Sequence, residues 1–126
     1  MISLDTNYLL RFLTNDIKSQ AQAAKEVIEG SKEIYIPVIV IAETIYFLRN
    51  YYKVGKSAIC EELSLLIRQP NIKTSDFVLL ALDLYQAENI SFYDTLLLGE
   101  VIEKNLVLKT FDQKLSKVFS KYSSSN

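Results

Sequence analysis

The chain begins with a change in the spacing of its hydrophobic residues. Ile2 and Leu4 alternate with a polar residue, as in a strand, whereas the apolar residues at positions 8–13 are typical of a helix. Asp5 lies at the junction, at the carboxyl end of the predicted strand. Ligands of open α/β sheets bind outside such strand ends. Asp5 could instead cap the following helix, so this residue alone leaves both roles open.

The rest of the chain alternates between helical and strand-like patterns. Helical spacing is found at residues 21–30, 38–48, 56–68, 78–85, 94–102 and 113–119, and short apolar runs indicate strands at 34–36, 71–74 and 106–108. The run at 106–108 is wholly apolar, which is typical of a strand buried on both faces. This alternation predicts an α/β fold with a mostly parallel sheet of about four to five strands flanked by helices.

Length and composition fit one domain of this kind. The chain has 126 residues, 49% of them hydrophobic, which is enough to form a core of its own. We expect one domain over residues 1–121 and a flexible, serine-rich tail at 122–126. The net charge of -1 excludes a generally basic nucleic-acid binder but allows a local basic rim. With no secretory signal or membrane span in the pattern, we expect a cytoplasmic protein.

The chain contains no histidine, which limits its possible chemistry. Nucleophilic triads that need histidine and zinc sites ligated by histidine are excluded. Carboxylates then become the main reactive groups. They favour the metals that prefer oxygen ligands, Mg²⁺ and Mn²⁺.

Glu43 is the only charged residue in the apolar run at 38–48. A buried carboxylate is costly unless it is paired or binds a cation, and no basic residue lies three or four positions away to form a helical ion pair. The alternative is that Glu43 lies on a narrow solvent-facing strip or meets a distant lysine.

Two further acids lie at predicted boundaries between elements. Asp94 is near the start of a helix, where it could be a cap or a metal ligand, and Asp112 follows the apolar run at 106–108. Parallel topology puts Asp5 and Asp112 at one edge of the sheet, and Glu43 and Asp94 can point into that edge. Four carboxylates in one crevice repel each other, and one or two divalent cations would relieve the repulsion.

These acids and their neighbours also carry a resemblance to a known family. The segments Leu4-Asp5-Thr6-Asn7, Ala42-Glu43, Phe92-Tyr93-Asp94-Thr95-Leu96 and Thr110-Phe111-Asp112 together resemble a PIN-domain ribonuclease, and the small size resembles the VapC toxin branch. The resemblance extends from Ile2 to about Phe119. Thr95 is a departure, because the family commonly has a small residue such as alanine there.

The resemblance implies an endoribonuclease that depends on Mg²⁺ or Mn²⁺, with tRNA, rRNA or mRNA as substrate. It also implies a cognate antitoxin and a homodimer. One or two metal ions would be held by Asp5, Glu43, Asp94 and Asp112, with supporting polar groups from Thr6, Asn7 and Thr110. We expect phosphate contacts from a basic rim, although each of its members could equally be an ordinary solvated charge: Arg11, Arg49, Lys53, Lys114 and Lys117.

Two other functions fit parts of the pattern. A binding module could keep the acids only for structure. A receiver-like phospho-acceptor domain also has acids at strand ends, but it normally begins with two adjacent acids, which this chain lacks.

Overall fold

The structure is a computed structural model that describes residues 1–123. Its helices and strands follow the predicted alternation, and they form two compact units, Met1–Ser75 and a second unit that begins at Asp76. In chain order the elements are β1 (Ile2–Ser3), α1 (Thr6–Thr14), α2 (Lys18–Gly30), β2 (Ile34–Tyr35), α3 (Val38–Asn50), α4 (Lys56–Ile67), β3 (Ile72–Lys73), α5 (Val78–Ala87), α6 (Phe92–Glu103) and α7 (Gln113–Ser123).

The first unit contains a parallel sheet in the order β1-β2-β3. Ile2 pairs with Ile34, and Ile34 pairs with Ile72, so each of the two crossovers contains helices, as the alternating pattern predicts. Ile34 and Ile72 are buried, whereas Ile2 is exposed. The parallel α/β fold is therefore confirmed for these strands.

Helices of the first unit pack through the apolar residues that recur at helical spacing. α1 contacts both α2 and α3, and its Leu9 and Leu10 are buried. α3 contributes buried residues from Val40 to Leu48. At the end of α2, the side-chain amide of Asn71 donates hydrogen bonds to the backbone oxygens of Ile28 and Ser31, at 2.8 and 3.0 Å.

The second unit consists of helices in its described part. α5 and α6 are in close contact and α7 packs on α6. The core there includes Leu84, Leu98, Leu115 and Val118. α7 continues beyond the predicted end at residue 119 to Ser123, and Glu88 accepts hydrogen bonds from the Tyr122 hydroxyl (2.5 Å) and Lys121 Nζ (2.9 Å). Of the predicted tail, residues 124–126 lie outside the described residues.

The prediction of a strand at residues 106–108 is wrong. Residues 106–108 form no strand, and Leu106 and Val107 are 51% and 81% exposed. Instead, Asn105 adopts a left-handed conformation with φ 55°, and Leu106 N–H bonds to Val101 O at 2.8 Å. This is the geometry of a Schellman motif, in which an apolar residue commonly follows the cap. The sheet in the described residues consequently has three strands rather than four to five.

The start of α5 has no polar side-chain cap, although Ser75 and Asp76 lie just before it. The residue at the N-cap is Phe77, which makes no side-chain capping bond. A turn at residues 76–77 precedes the helix, so both polar residues lie one or two positions too early to cap it.

None of the helices formed by residues 1–123 is long and apolar enough to cross a membrane.

Gly99 permits the close approach of α5 and α6. A Cβ atom at this position would lie 3.0 Å from the backbone oxygen of Phe77 and 3.4 Å from Cβ of Ala81. We expect Gly99→Leu to lower the free energy of unfolding by about 2 kcal/mol, because backbone atoms cannot rotate away from the added side chain. Urea denaturation measures the change.

Gly30 provides the matched control. Nothing lies within 4 Å of a Cβ atom built there, so we expect Gly30→Leu to stay within about 0.5 kcal/mol of the unchanged chain. Equal stability of the two variants would contradict the role of Gly99 in packing.

Candidate functional site

Asp5 is the N-cap of α1. Its Oδ1 accepts a hydrogen bond from Tyr8 N–H at 2.9 Å, and its backbone oxygen accepts one from Leu9 N–H at 3.2 Å. The capping role that the sequence left open is therefore real. It occupies only one carboxylate oxygen, and an ionised carboxylate has two oxygens with about four acceptor positions. Capping and cation binding are thus compatible at Asp5.

Glu43 lies on the exposed side of α3 between the buried residues Ala42 and Thr44. The structure thus shows the alternative of a solvent-facing strip. Because the Glu43 carboxylate is exposed, it has no burial cost that a cation would need to offset. Glu43 has a specific partner nevertheless, since Thr6 Oγ1 donates a hydrogen bond to its Oε1 at 2.5 Å. This bond brings Glu43 beside the end of α1 that Asp5 caps.

Asp112 repeats the arrangement of Asp5 in the second unit. Its Oδ1 accepts from Leu115 N–H at 3.0 Å, and its backbone oxygen accepts from Ser116 N–H at 3.0 Å. Thr110 Oγ1 accepts a hydrogen bond from Asp112 N–H, also at 3.0 Å. The predicted supporting residue Thr110 is therefore in direct contact with Asp112, and one oxygen of that carboxylate is committed to the start of α7.

Asp94 is not the cap of its helix. Ser91 is the N-cap of α6, and its Oγ accepts a hydrogen bond from Asp94 N–H at 3.1 Å. Asp94 is half-buried in the first turn, where the helix dipole favours a negative side chain. The neighbouring Thr95 is fully buried and donates to Phe92 O at 3.0 Å, so the hydroxyl that departs from the expected small residue is satisfied within its own helix.

A cavity of about 290 Å³ opens beside Asp5 in the first unit. It is lined by Asp5, Asn7, Tyr8, Arg11, Gln20 and Ala23. Two predicted site residues, Asn7 and Arg11, thus share a cavity with the predicted central acid. The lining includes one acidic and one basic residue, Asp5 and Arg11, so the cavity combines a residue that can bind a cation with one that can bind an anion.

The other predicted basic residues are spread over both units. Arg49 Nη1 donates to Val54 O at 3.4 Å, and Lys53 lies exposed in the same α3–α4 connection with φ 58°. Lys114 and Lys117 are exposed on α7. Their RNA-binding role stays a prediction.

The donor chemistry of the four acids fits Mg²⁺ or Mn²⁺. Every candidate ligand is a carboxylate, the ligand that these ions prefer, and capping of Asp5 and Asp112 commits only one oxygen of each. Among residues 1–123, however, no group of three or more His, Cys, Asp or Glu side chains is arranged to hold a metal ion.

Sequence reasoning missed the residues that surround Arg11. Gln20 and Tyr52 bond to its guanidinium, and Asp16 forms an ion pair with it. Asp16 belongs to the connection between α1 and α2, and Tyr52 belongs to the connection between α3 and α4. No spacing rule joins residues from two different interhelical connections, so the pattern held no signal for this cluster.

Comparison with known proteins identifies the family. Residues 2–120 match the PIN domain family, and the chain therefore belongs to that family, as the resemblance of its acidic segments predicted. It is similar to a VapC ribonuclease of Aquifex aeolicus (strain VF5), with 29% identity over 98 residues that cover 74% of this chain and 73% of the relative. No solved structure gives a significant match.

The dual use of Asp5 can be tested by a pair of substitutions. Asp5→Ala removes the acceptor for Tyr8 N–H, and we expect it to lower the free energy of unfolding by about 1 kcal/mol. Asp5→Asn keeps an acceptor oxygen at the cap and should retain the stability of the unchanged chain. Thermal and urea denaturation of both variants measure the difference.

Asp83 is the matched control, because it lies exposed in the middle of α5. Replacement by alanine or asparagine there removes no cap and should change stability by less than about 0.5 kcal/mol. A loss at Asp5→Asn as large as that at Asp5→Ala would show that the cap is not what Asp5 contributes to folding.

Proposed function

We propose that the chain is an endoribonuclease that hydrolyses RNA phosphodiester bonds with Mg²⁺ or Mn²⁺, and that it acts in the cytoplasm as the toxin of a toxin–antitoxin pair. Membership of the PIN domain family and similarity to a VapC ribonuclease support this function. The single structural observation that carries it is the Thr6–Glu43 hydrogen bond beside the Asp5 cap. It holds Glu43 against Thr6, the residue that follows Asp5, so two of the four acids that carried the family resemblance lie at the same end of α1.

In this proposal Asp5, Glu43, Asp94 and Asp112 hold one or two cations. A bound divalent cation supplies Lewis acidity, which activates water and neutralises charge on the phosphate. The chain's own residues supply the arrangement: Thr6 holds Glu43, and Thr110 supports Asp112.

The capped acids contribute orientation. In Asp5 and Asp112, the bond from a backbone N–H to Oδ1 fixes the direction of the other carboxylate oxygen. Groups held in place before the substrate arrives need less reorganisation during the reaction. During hydrolysis the water oxygen attacks phosphorus and a carboxylate can accept the proton of that water, while the P–O bond to the leaving nucleotide breaks and the leaving oxygen takes up a proton from solvent.

The proposal also includes an antitoxin and a second copy of the chain as partners. α3 and the residues after it expose aromatic side chains, and Tyr46, Phe47 and Tyr51 are among the exposed large apolar groups of the described residues. Ile45 and Leu48 from the same segment belong to the core. Exposed aromatic residues are enriched at protein interfaces, so this side of α3 supports the expectation of a protein partner.

The decisive experiment measures cleavage of defined tRNA and rRNA pools with Mg²⁺, with Mn²⁺ and with a chelator. We expect cleavage only with a metal ion, and we expect Asp5→Asn to lower the rate by more than the roughly 10–100-fold typical of a residue that merely supports a metal ligand. The asparagine preserves the cap acceptor, so the loss would not result from unfolding.

Asp83→Asn is the control for charge removal, since Asp83 lies outside the four acids; it should cleave like the unchanged chain. Cleavage by Asp5→Asn at the unchanged rate, or full cleavage with the chelator present, would overturn the proposal.

A further inference from the structure

The guanidinium of Arg11 is held by three side chains of the first unit. Its Nε donates to Gln20 Oε1 at 2.9 Å. Its Nη1 lies 3.5 Å from the Tyr52 hydroxyl oxygen and 3.5 Å from Asp16 Oδ1. The side chain is 20% exposed, so it reaches solvent although its direction is fixed.

Asp16 is itself held in place. The Tyr52 hydroxyl donates to its Oδ2 at 2.8 Å and Thr14 Oγ1 donates to its Oδ1 at 2.9 Å. The bond from Tyr52, followed by that from Thr14, holds the pKa of Asp16 below its usual value, so the carboxylate is charged at neutral pH. The cluster thereby joins the end of α1, the α1–α2 connection and the α3–α4 connection.

Arg11 lines the same cavity as Asp5. Arginine has five N–H donors in a planar fork, and the contacts to Gln20, Tyr52 and Asp16 engage only Nε and Nη1. The guanidinium therefore carries more donors than these three contacts use. A guanidinium with donors to spare suits the geometry of a phosphate group.

The charges around the cavity limit what could bind there. Asp16 offsets part of the charge of Arg11, and Asp5 adds a negative charge to the cavity wall. A free anion would therefore gain little net attraction. An RNA strand carries several linked phosphates and therefore differs from a free anion. A cation at Asp5 would attract one phosphate, and the next phosphate of the same strand would be available to Arg11.

We propose that Arg11 binds a phosphate of the RNA adjacent to the cleaved one, and that Asp16, Gln20 and Tyr52 are positioning residues that fix its guanidinium. This inference rests on the proposed ribonuclease function. A contact to a neighbouring phosphate positions the substrate without reading its sequence. It is made equally in the ground state and the transition state, so its loss raises KM and leaves kcat unchanged.

The competing explanation is that the cluster only links α1 to the two interhelical connections. Such a link would affect stability alone. Phosphate binding has a separate signature, because each phosphate contact by a cationic side chain contributes to the dependence of RNA affinity on salt concentration.

The test compares Arg11→Gln, Arg11→Lys and Tyr52→Phe in steady-state cleavage of one RNA oligonucleotide. We expect Arg11→Gln to raise KM about 10-fold at unchanged kcat, as for the loss of one charge-assisted hydrogen bond. Arg11→Lys should recover only part of this loss, because the planar fork is missing. Tyr52→Phe should raise KM by a smaller factor, because the charge remains but its support is weakened.

Binding of the same oligonucleotide in an Asp5→Asn background supplies the second measurement. There, Arg11→Gln should reduce the slope of log affinity against log salt by about 0.7, whereas Tyr52→Phe should leave the slope unchanged. Arg68→Gln is the matched control, since Arg68 is an exposed arginine at the end of α4 outside the proposed rim. It should match the unchanged chain in KM and slope.

The outcomes separate this inference from the function on which it rests. Normal cleavage by the unchanged chain with a wild-type KM and salt slope for Arg11→Gln would overturn the inference alone. If Arg11→Gln does not fold, a wild-type KM for both Arg11→Lys and Tyr52→Phe overturns it. Absence of any cleavage by the unchanged chain would overturn the proposed function and this inference together.

Discussion

The free backbone N–H groups at the start of a helix are the constraint on which the arrangement of this protein depends. They need acceptors. At α1 and α7 the acceptor is an aspartate, and at α6 it is a serine. Asp5 and Asp112 accept the N–H of the third helical residue, and Ser91 does so for the helix that contains Asp94. Folding of α1, α6 and α7 and placement of three candidate metal ligands are therefore achieved by the same hydrogen bonds.

Much of the fold could be predicted because its periods are clear. The helices follow from hydrophobic spacing, since each buries a recognisable set of apolar residues, and the strands β2 and β3 each bury an isoleucine. Leu106 shows where that reasoning fails. A short apolar run does not by itself establish a buried strand, and here Leu106 is exposed and follows a left-handed Asn105 at a helix end. At α5, a turn places the helix start at Phe77 rather than at the polar residues Ser75 and Asp76 before it.

The candidate site was accessible to sequence reasoning only in part. The order of the four acids and their positions near strand and helix ends are local features, and they led to the family. The contact between Thr6 and Glu43 spans 37 positions and required the fold. The surroundings of Arg11 were beyond prediction for the same reason, because Tyr52 and Gln20 approach it from separate parts of the chain.

The caps at Asp5 and Asp112 also disfavour bidentate metal binding. With Oδ1 engaged by a backbone N–H, a cation that took both oxygens of either carboxylate would have to share Oδ1 with the helix start, whereas the second oxygen has no such competitor in the cap. Ca²⁺ commonly takes carboxylates in bidentate fashion and accepts six to eight ligands, roughly, whereas Mg²⁺ requires a tight octahedron that monodentate oxygens and water fill well. A cation held by these acids, as proposed, would therefore meet ligands that suit the smaller octahedral ion, and that preference would be set by the backbone rather than by the choice of side chain.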